Sequence, residues 1–283
     1  MGVVEWFLGI HFAWRITPSS VSVHLNQSGF ASNLVESLFQ DSPNVTPTAT
    51  PYRSGVPIDS IAPSTDDNDS PAQLRRTAAY QSLIGSIGWL SSSTRPDLSA
   101  VHSFLASYSN KPAVGHMKAA LYALHYIHST HDYGISFTSD SIGPMHSYIH
   151  FPPKTDVEAY TDALPPTSSN SSTLSSYSDA CWGSQIGNAV ADGTLLPLFK
   201  FRSMSGAIVF RSGGPITWKT ERQERTSLSS CEAEICATNM GSHLTINLWN
   251  MILHLQSLGY PIDDTDVATP LYNDNDACVK WCL

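Results

Sequence analysis

The sequence predicts an α/β protein in which a mixed sheet with flanking helices forms the C-terminal part of a 283-residue chain. Three observations support this prediction. Extended runs alternate with helical patterns after residue 174. A β-hairpin pattern opens the chain, and apolar residues then recur at helical spacing. Finally, acidic residues stand where the predicted strands end and the longest predicted helix begins.

The first 40 residues are predicted to form a β-hairpin followed by a helix. Trp6–Ile10 and Val21–Leu25 are extended-type runs that flank a turn at Thr17–Ser20. The spacing of the next apolar residues predicts an amphipathic helix at about Gln27–Leu38.

The middle of the chain is predicted to be helical and to lie between two linkers. Residues 41–75 and 138–173 are rich in polar and turn-forming residues, which is typical of disordered segments. A mostly helical region is predicted over 76–137. Its elements are helices at about Gln73–Ser93, Asp97–Ser109 and Val114–His128 and a short strand at Tyr133–Phe137.

Residues 174–283 are predicted to form the mixed sheet with its helices. The predicted elements are strands at Leu174–Trp182, Met204–Arg211 and Pro215–Thr220, a helix from Ser229 or Ser230 to about Leu258, a strand at Thr269–Asn273 and a helix from Asp276. In sheets of this kind, active sites gather where strand ends meet helix starts.

Three acidic residues are placed to meet at such a position. Asp179 lies near the end of the first strand, Glu232 lies in the first turn of the long helix, and Asp274 follows the last strand. Carboxylates suit Mg²⁺, and two such ions can stabilise the attacking and leaving oxygens of phosphodiester cleavage. Taken singly, each acid is better explained by a structural role than by a catalytic one. Glu232, for example, can stabilise the positive end of its helix. Their order on strand, helix and strand favours a metal-dependent nuclease.

The charge distribution is uneven. The net charge of −9 argues against a dedicated nucleic-acid-binding protein. However, residues 200–225 contain six basic and two acidic residues, a local net charge of +4. A solvated strand face and a phosphate-binding rim explain this cluster equally well. Lys219, Arg222 and Arg225 are the candidate nucleic-acid contacts.

No apolar stretch reaches membrane-spanning length, and the first residues lack the features of a secretory signal. We therefore expect a protein that is not secreted and has no membrane partner. The five cysteines form no zinc-binding pattern and are expected to be reduced.

Several motifs, taken in order, resemble the C-terminal part of the Pol polyprotein of copia-type LTR retrotransposons, over nearly the whole chain. Trp6–Ile10 and Leu25–Phe30 are similar to the end of the reverse transcriptase palm, and Tyr80–Leu90 with Thr94–Asp97 to its thumb and connection. The motifs similar to the RNase H domain are Arg202–Gly206, Gly213–Lys219, Arg222–Arg225, Ser229–Glu234 and Asn273–Asn275.

The resemblance implies an RNase H-like fold in which Asp179, Glu232 and Asp274 bind two Mg²⁺ ions and cut the RNA strand of an RNA–DNA hybrid. Glu234 matches the family's second glutamate, to which a structural role is assigned. Asp162 lies in a second copy of the first motif, but Leu164-Pro-Pro166 follows it and breaks a strand, so Asp179 is preferred.

The sequence also departs from the family. The polymerase aspartate pair is absent, so DNA synthesis is not expected. The chain ends about nine residues after Asp274, without the family's fourth metal-site residue. The alternative is therefore a truncated, catalytically inactive relic that binds nucleic acid weakly. The family implies the rest of a Pol polyprotein as a partner, and cytoplasmic virus-like particles or the nucleus as the location.

Overall fold

The computed structural model describes residues 3–39, 46–53, 58, 61–62, 64–68, 70–139, 174–181, 202–260, 262 and 268–282. Within these residues, eight strands form two four-stranded sheets, accompanied by six α-helices. The chain is thus a mixed α/β protein, as predicted. Most of the second predicted linker, the Asp162 motif and the predicted end of the first C-terminal strand at Trp182 lie outside the described residues.

The first sheet is antiparallel throughout and has the order β1-β2-β3-β4. Its strands are β1 (Trp6–Phe7), β2 (Ile10–Ile16), β3 (Val21–Asn26) and β4 (Gly134–Thr138). The predicted single strand at Trp6–Ile10 is divided, because Leu8 and Gly9 form a turn between paired Phe7 and Ile10. Both turn residues have positive φ, 48° and 75°, which matches a type I′ hairpin turn.

Four helices pack beside this sheet around a shared apolar core, and together they form the helical module. They are α1 (Ser28–Phe39), α2 (Pro71–Ser93), α3 (Ser99–Ala106) and α4 (Val114–Ser129), with a 3₁₀ turn at Pro96–Leu98 before α3. The core side chains include Tyr80, Ile87, Leu90, Leu98, Leu105, Leu124 and Ile127. Ser70 begins α2 as its N-cap and accepts a hydrogen bond from the Gln73 amide at 3.2 Å.

A buried arginine connects the α2–α3 junction to the end of α4. Arg95 is 2% exposed and pairs with Asp97 at 2.7 Å. Its guanidinium also donates to the carbonyl oxygen of Thr130 at 2.8 Å and to the Thr130 hydroxyl at 2.7 Å. It lies over the rings of Tyr126 and Tyr133, 5.5 and 5.4 Å from their centres. The Thr94–Asp97 segment is therefore a structural centre of the helical module and does more than end a helix.

The second sheet has the order β7-β6-β5-β8. Its strands are β5 (Ser175–Cys181), β6 (Met204–Arg211), β7 (Gly214–Arg222) and β8 (Leu271–Tyr272), and its helices are α5 (Ser230–Ser257) and α6 (Asp276–Cys282). The first three strands pair antiparallel, while β8 is parallel to β5. Helix α5 approaches the sheet closely at Gly241, where an added Cβ would lie 3.1 Å from the Ser176 hydroxyl.

The helical module and the second sheet are in direct contact. The Trp218 indole on β7 donates to the Ser91 carbonyl oxygen at 2.7 Å. The β6–β7 turn approaches β4, where the Thr138 amide donates to the Ser212 carbonyl oxygen at 2.8 Å. Among the described helices, none has the length and apolar character needed to cross a bilayer.

We expect Arg95→Ala to destabilise the protein by about 3 kcal/mol, because it leaves Asp97 and the Thr130 carbonyl without their buried partner. Lys219→Ala is the control, since the Lys219–Glu221 pair is about half exposed on both sides. Loss of this exposed ion pair should lower the free energy of unfolding by less than about 1 kcal/mol. Urea unfolding followed by circular dichroism measures both free energies, and equal losses would contradict the role given to Arg95.

Candidate metal centre

Three carboxylates from three different elements meet at one end of the second sheet. Asp179 on β5, Glu234 on α5 and Asp274 after β8 each offer an oxygen within 4.8 Å of the others. The topology explains the meeting, because β8 runs parallel to β5 and both strands end at the same edge of the sheet. Helix α5 crosses β5 and brings its first turns to the same place.

The alternation of side chains along β5 decides which residues reach this site. Ser176 and Ser178 face α5, as shown by the 3.1 Å hydrogen bond between the hydroxyls of Ser178 and Thr238. Tyr177 and Asp179 consequently leave the strand on the opposite face. The Asp179 carboxylate nevertheless meets Glu234 near the end of β5, where the Ala180 backbone is hydrogen-bonded to both acids. Asp179 is exposed and pairs across the strands with Gly206, which has no side chain to cover it.

The ionised forms of Glu234 and Asp179 are both disfavoured at this position. Burial raises the pKa of Glu234, and the charges of Asp179 and Asp274 raise it further. The pKa of Asp179 is likewise raised, by partial desolvation of its carboxylate and by the charge of Asp274. Hydrogen bonding from the Ala180 amide opposes the shift at both Asp179 and Glu234. A divalent cation would relieve this repulsion, and a set of carboxylate oxygens is what Mg²⁺ prefers. The donor set therefore fits the metal that the resemblance implies.

Asn273 ties the three elements of the site together. The two hydrogens of its side-chain NH₂ are shared among four acceptors: Glu234 Oε2 at 2.9 Å, Thr238 Oγ1 at 3.2 Å, and the carbonyl and hydroxyl oxygens of Ser178 at 3.3 Å each. Its oxygen accepts from the Asn275 amide at 2.9 Å. The residue before Asp274 thus bridges β8, β5 and α5.

Glu232, which was expected to be the helix ligand, is not a member of this group. It is exposed, and its carboxylate accepts a hydrogen bond from the Leu228 amide at 2.6 Å. The Ser229 hydroxyl in turn accepts from the Glu232 amide at 3.1 Å. These two bonds cap the start of α5, so the structure gives Glu232 the helix-stabilising position and brings Glu234 to the aspartates instead.

Two signals in the sequence could have distinguished the two glutamates. Ser229 and Glu232 have the serine-x-x-glutamate spacing of a capping box. The second signal is helical spacing: Glu234, Ala237 and Gly241 follow one another at intervals of three and four residues, which places them on one face of the helix. That face lies toward the sheet, and Glu234 is only 6% exposed. Two residues further along a helix correspond to a rotation of about 200°. The two glutamates therefore point in nearly opposite directions.

The basic candidates do not form one continuous rim. Lys219 is exposed and pairs with Glu221 at 2.7 Å. Arg222 donates to the Arg202 carbonyl oxygen at 3.2 Å and lies 5.9 Å from the centre of the Phe104 ring. Lys219 and Arg222 are three residues apart on β7, so they lie on opposite faces of the strand. Arg225 is exposed in the segment before α5.

A cleft of about 270 Å³ lies beside Asp179, between the second sheet and the helical module. Its walls include Gly206, Trp218 and Thr220 from the sheet and Pro96 and Ser99 from the helical module. The candidate site therefore opens toward a surface to which both parts of the chain contribute.

The chain is similar to retrovirus-related Pol polyproteins. Over 282 residues it is 26% identical to the retrovirus-related Pol polyprotein from transposon RE2 of Arabidopsis thaliana, a match that covers 99% of the chain and 15% of that protein. It is 24% identical to the corresponding RE1 polyprotein over 165 residues, 58% of the chain and 8% of that protein. The chain thus spans a small part of both polyproteins. The predicted resemblance to a retrotransposon Pol polyprotein is thus confirmed as a sequence similarity of 24–26% identity.

A second kind of relative is shorter. The secreted RxLR effector protein 161 of Plasmopara viticola is 26% identical over 162 residues, which are 57% of the chain and 85% of that protein. No protein-family model matches the chain. No solved structure matches it either.

We expect Glu234→Gln to raise the melting temperature in EDTA at pH 7 by about 2–4 °C. The substitution removes a buried charge repelled by both aspartates and keeps an oxygen to accept the Asn273 hydrogen bond. Because the pKa of Glu234 is raised on folding, its contribution to stability is full below its ordinary value of 4.5 and is lost as the pH rises through the raised value.

The advantage of the variant should accordingly be small at pH 4 and grow toward pH 7. Glu232→Gln is the matched control, because it makes the same chemical change at an exposed position. Thermal unfolding of the three proteins at both pH values tests the expectation. A wild-type protein more stable than Glu234→Gln at pH 7 in EDTA would show that the repulsion does not control stability.

Proposed function

We propose that this chain is a retrotransposon Pol-derived protein whose second sheet, with α5 and α6, forms an RNase H-like domain that hydrolyses the RNA strand of RNA–DNA hybrids. The observation that carries the proposal is the group formed by Asp179, Glu234 and Asp274, whose carboxylate oxygens lie within 4.8 Å of one another. The similarity to transposon Pol polyproteins over 99% of the chain supports the assignment independently.

The topology supports the RNase H-like part of the proposal. Three antiparallel strands in succession, a long helix across them and a fourth strand parallel to the first match the arrangement that the sequence motifs imply. Each acid then occupies a position set by the fold: near the end of a strand, in the first turns of the helix, and two residues after the fourth strand.

The proposed metal ligands are Asp179, Glu234 and Asp274. Glu234 replaces Glu232 in this role because Glu232 is engaged in capping α5. Two Mg²⁺ ions, when bound, supply the positive charge that activates a water and stabilises the leaving 3′ oxygen. The two exposed aspartates lie on the solvent side, where substrate phosphate can approach, while the buried glutamate fixes the inner end of the site.

The cleft beside Asp179 is the proposed path of the substrate backbone. Its wall carries the hydroxyl residues Ser99 and Thr220, and Gly206 leaves its floor open. Arg225 is exposed in the segment before α5 and is retained as a proposed phosphate contact. Lys219 is also exposed, but it lies on the face of β7 that points away from the cleft, so it is proposed to contact phosphate only outside the cleft. Arg222 is engaged within the protein and is proposed to stabilise the contact between the sheet and α3.

Cleavage of a 5′-labelled RNA–DNA hybrid by the full chain tests the proposal. We expect cleavage of the RNA strand with Mg²⁺ and none with EDTA. Glu234→Gln should reduce the rate by at least about 100-fold, because the site loses one of three charged ligands. Glu232→Gln should retain cleavage and lose no more than about 1 kcal/mol of stability.

The pair of glutamate variants separates the possible explanations. If Glu232→Gln removes activity and Glu234→Gln does not, the assignment of the helix ligand is wrong. If the folded wild-type protein cleaves no hybrid in Mg²⁺, the nuclease proposal fails, and a non-catalytic Pol-derived protein is the remaining alternative.

A further inference from the structure

The residue in front of Asp274 is bonded in a way that the metal-ligand assignment leaves unexplained. The Asn273 amide nitrogen has four acceptors within 3.3 Å, and one of them is the carboxylate of Glu234. The strand ends at Tyr272, so Asn273 belongs to the short connection that also carries Asp274. A single residue therefore touches one proposed ligand and is covalently joined to another.

The orientation of this amide follows from its partners. The Asn275 amide needs an acceptor, and Asn273 Oδ1 accepts from it at 2.9 Å. The nitrogen then faces oxygen atoms of Glu234, Thr238 and Ser178, which can all accept. The reversed orientation would place the amide oxygen against a carboxylate and an amide nitrogen against an N–H group. The network thus permits one orientation.

We infer that Asn273 is a positioning residue for the metal centre: it holds Glu234 Oε2 so that the carboxylate stays turned toward Asp179 and Asp274 in readiness for a divalent cation. This inference rests on the proposed function. Its basis is the 2.9 Å bond to Glu234 together with the anchoring of the same amide on β5 and α5. A hydrogen bond donated to a metal-ligating carboxylate orients that ligand, and its loss typically weakens metal binding by about 10–100-fold.

The neighbouring asparagine provides a matched control. Asn275 Oδ1 accepts from the Cys278 amide at 2.9 Å and so caps the start of α6. Among the described residues, no hydrogen bond joins Asn275 to Glu234. Asn275→Ala therefore removes a helix cap from the same connection and leaves the bonds of Glu234 in place. Asn273→Ser removes the amide donors but keeps a short oxygen that can accept from the Asn275 amide.

The test is a titration of the full-length chain with Mn²⁺ followed by electron paramagnetic resonance, with Mn²⁺ as the probe because it shares the oxygen preference of Mg²⁺. We expect Asn273→Ser to weaken Mn²⁺ binding by about 10–100-fold. Asn275→Ala should lower the melting temperature in EDTA and leave the Mn²⁺ affinity within the error of the titration.

The other outcomes overturn the inference in distinguishable ways. If wild type and Asn273→Ser bind Mn²⁺ equally, Asn273 does not position Glu234, and the proposed function stands. If Asn273→Ser and Asn275→Ala weaken binding equally, the affinity follows stability and Asn273 is only structural. If the wild-type protein does not bind Mn²⁺, the metal centre and the role of Asn273 both fail.

A second variant covers the case in which Asn273→Ser does not fold. Thr238→Val removes one oxygen that holds the amide and leaves Asn273 and Glu234 in place. We expect a smaller loss of Mn²⁺ affinity in the same direction. A folded Thr238→Val protein with unchanged affinity, beside an unfolded Asn273→Ser protein, would count against the inference.

Discussion

The buried guanidinium of Arg95 is the interaction on which the helical module's wall of the cleft depends. It fixes the turn between α2 and α3 against the end of α4 through Asp97 and Thr130. An uncompensated buried cation costs several kcal/mol, so the bonds to Asp97 and Thr130 are needed to offset the burial of Arg95. The same turn presents Pro96 and Ser99 to the cleft beside Asp179. A charge inside the helical module thereby determines one wall of the candidate site in the second sheet.

The candidate site brings together carboxylates from three structural elements, and two of them, Glu234 and Asp179, are disfavoured in their ionised form. Its three carboxylates are carried by a strand, a helix and the connection that follows a parallel strand. Burial and mutual repulsion raise the pKa of Glu234, a cost that the Asn273 amide offsets only in part. Strained or repelled charges at a rigid position are frequent at functional sites. This is the physical reason for interpreting the group as a cation site and not as a surface acidic patch.

Much of the fold was accessible from the sequence because apolar periodicity is a local signal. Strand β6 has the predicted bounds, and helices α2, α4 and α5 begin and end within a few residues of theirs. The predicted strand at Trp6–Ile10 was wrong because the turn requires positive φ at Leu8, which its residue type does not indicate. The choice between the two glutamates of α5 depends on a different kind of information. Motif position identified the first turn of α5, but only the direction of each side chain around the helix separates Glu232 from Glu234.

The basic residues of β7 lie on both faces of the strand, and the face that carries Arg222 packs against the helical module. Trp218 and Arg222 both contact the helical module, through the Ser91 carbonyl oxygen and the Phe104 ring. Removing that module would expose these side chains and take away the Pro96–Ser99 wall of the cleft. The acidic group itself is built entirely from the second sheet and its helices. The chemistry proposed for this protein is therefore local to that sheet, whereas the surface that presents a substrate to it belongs to the whole chain.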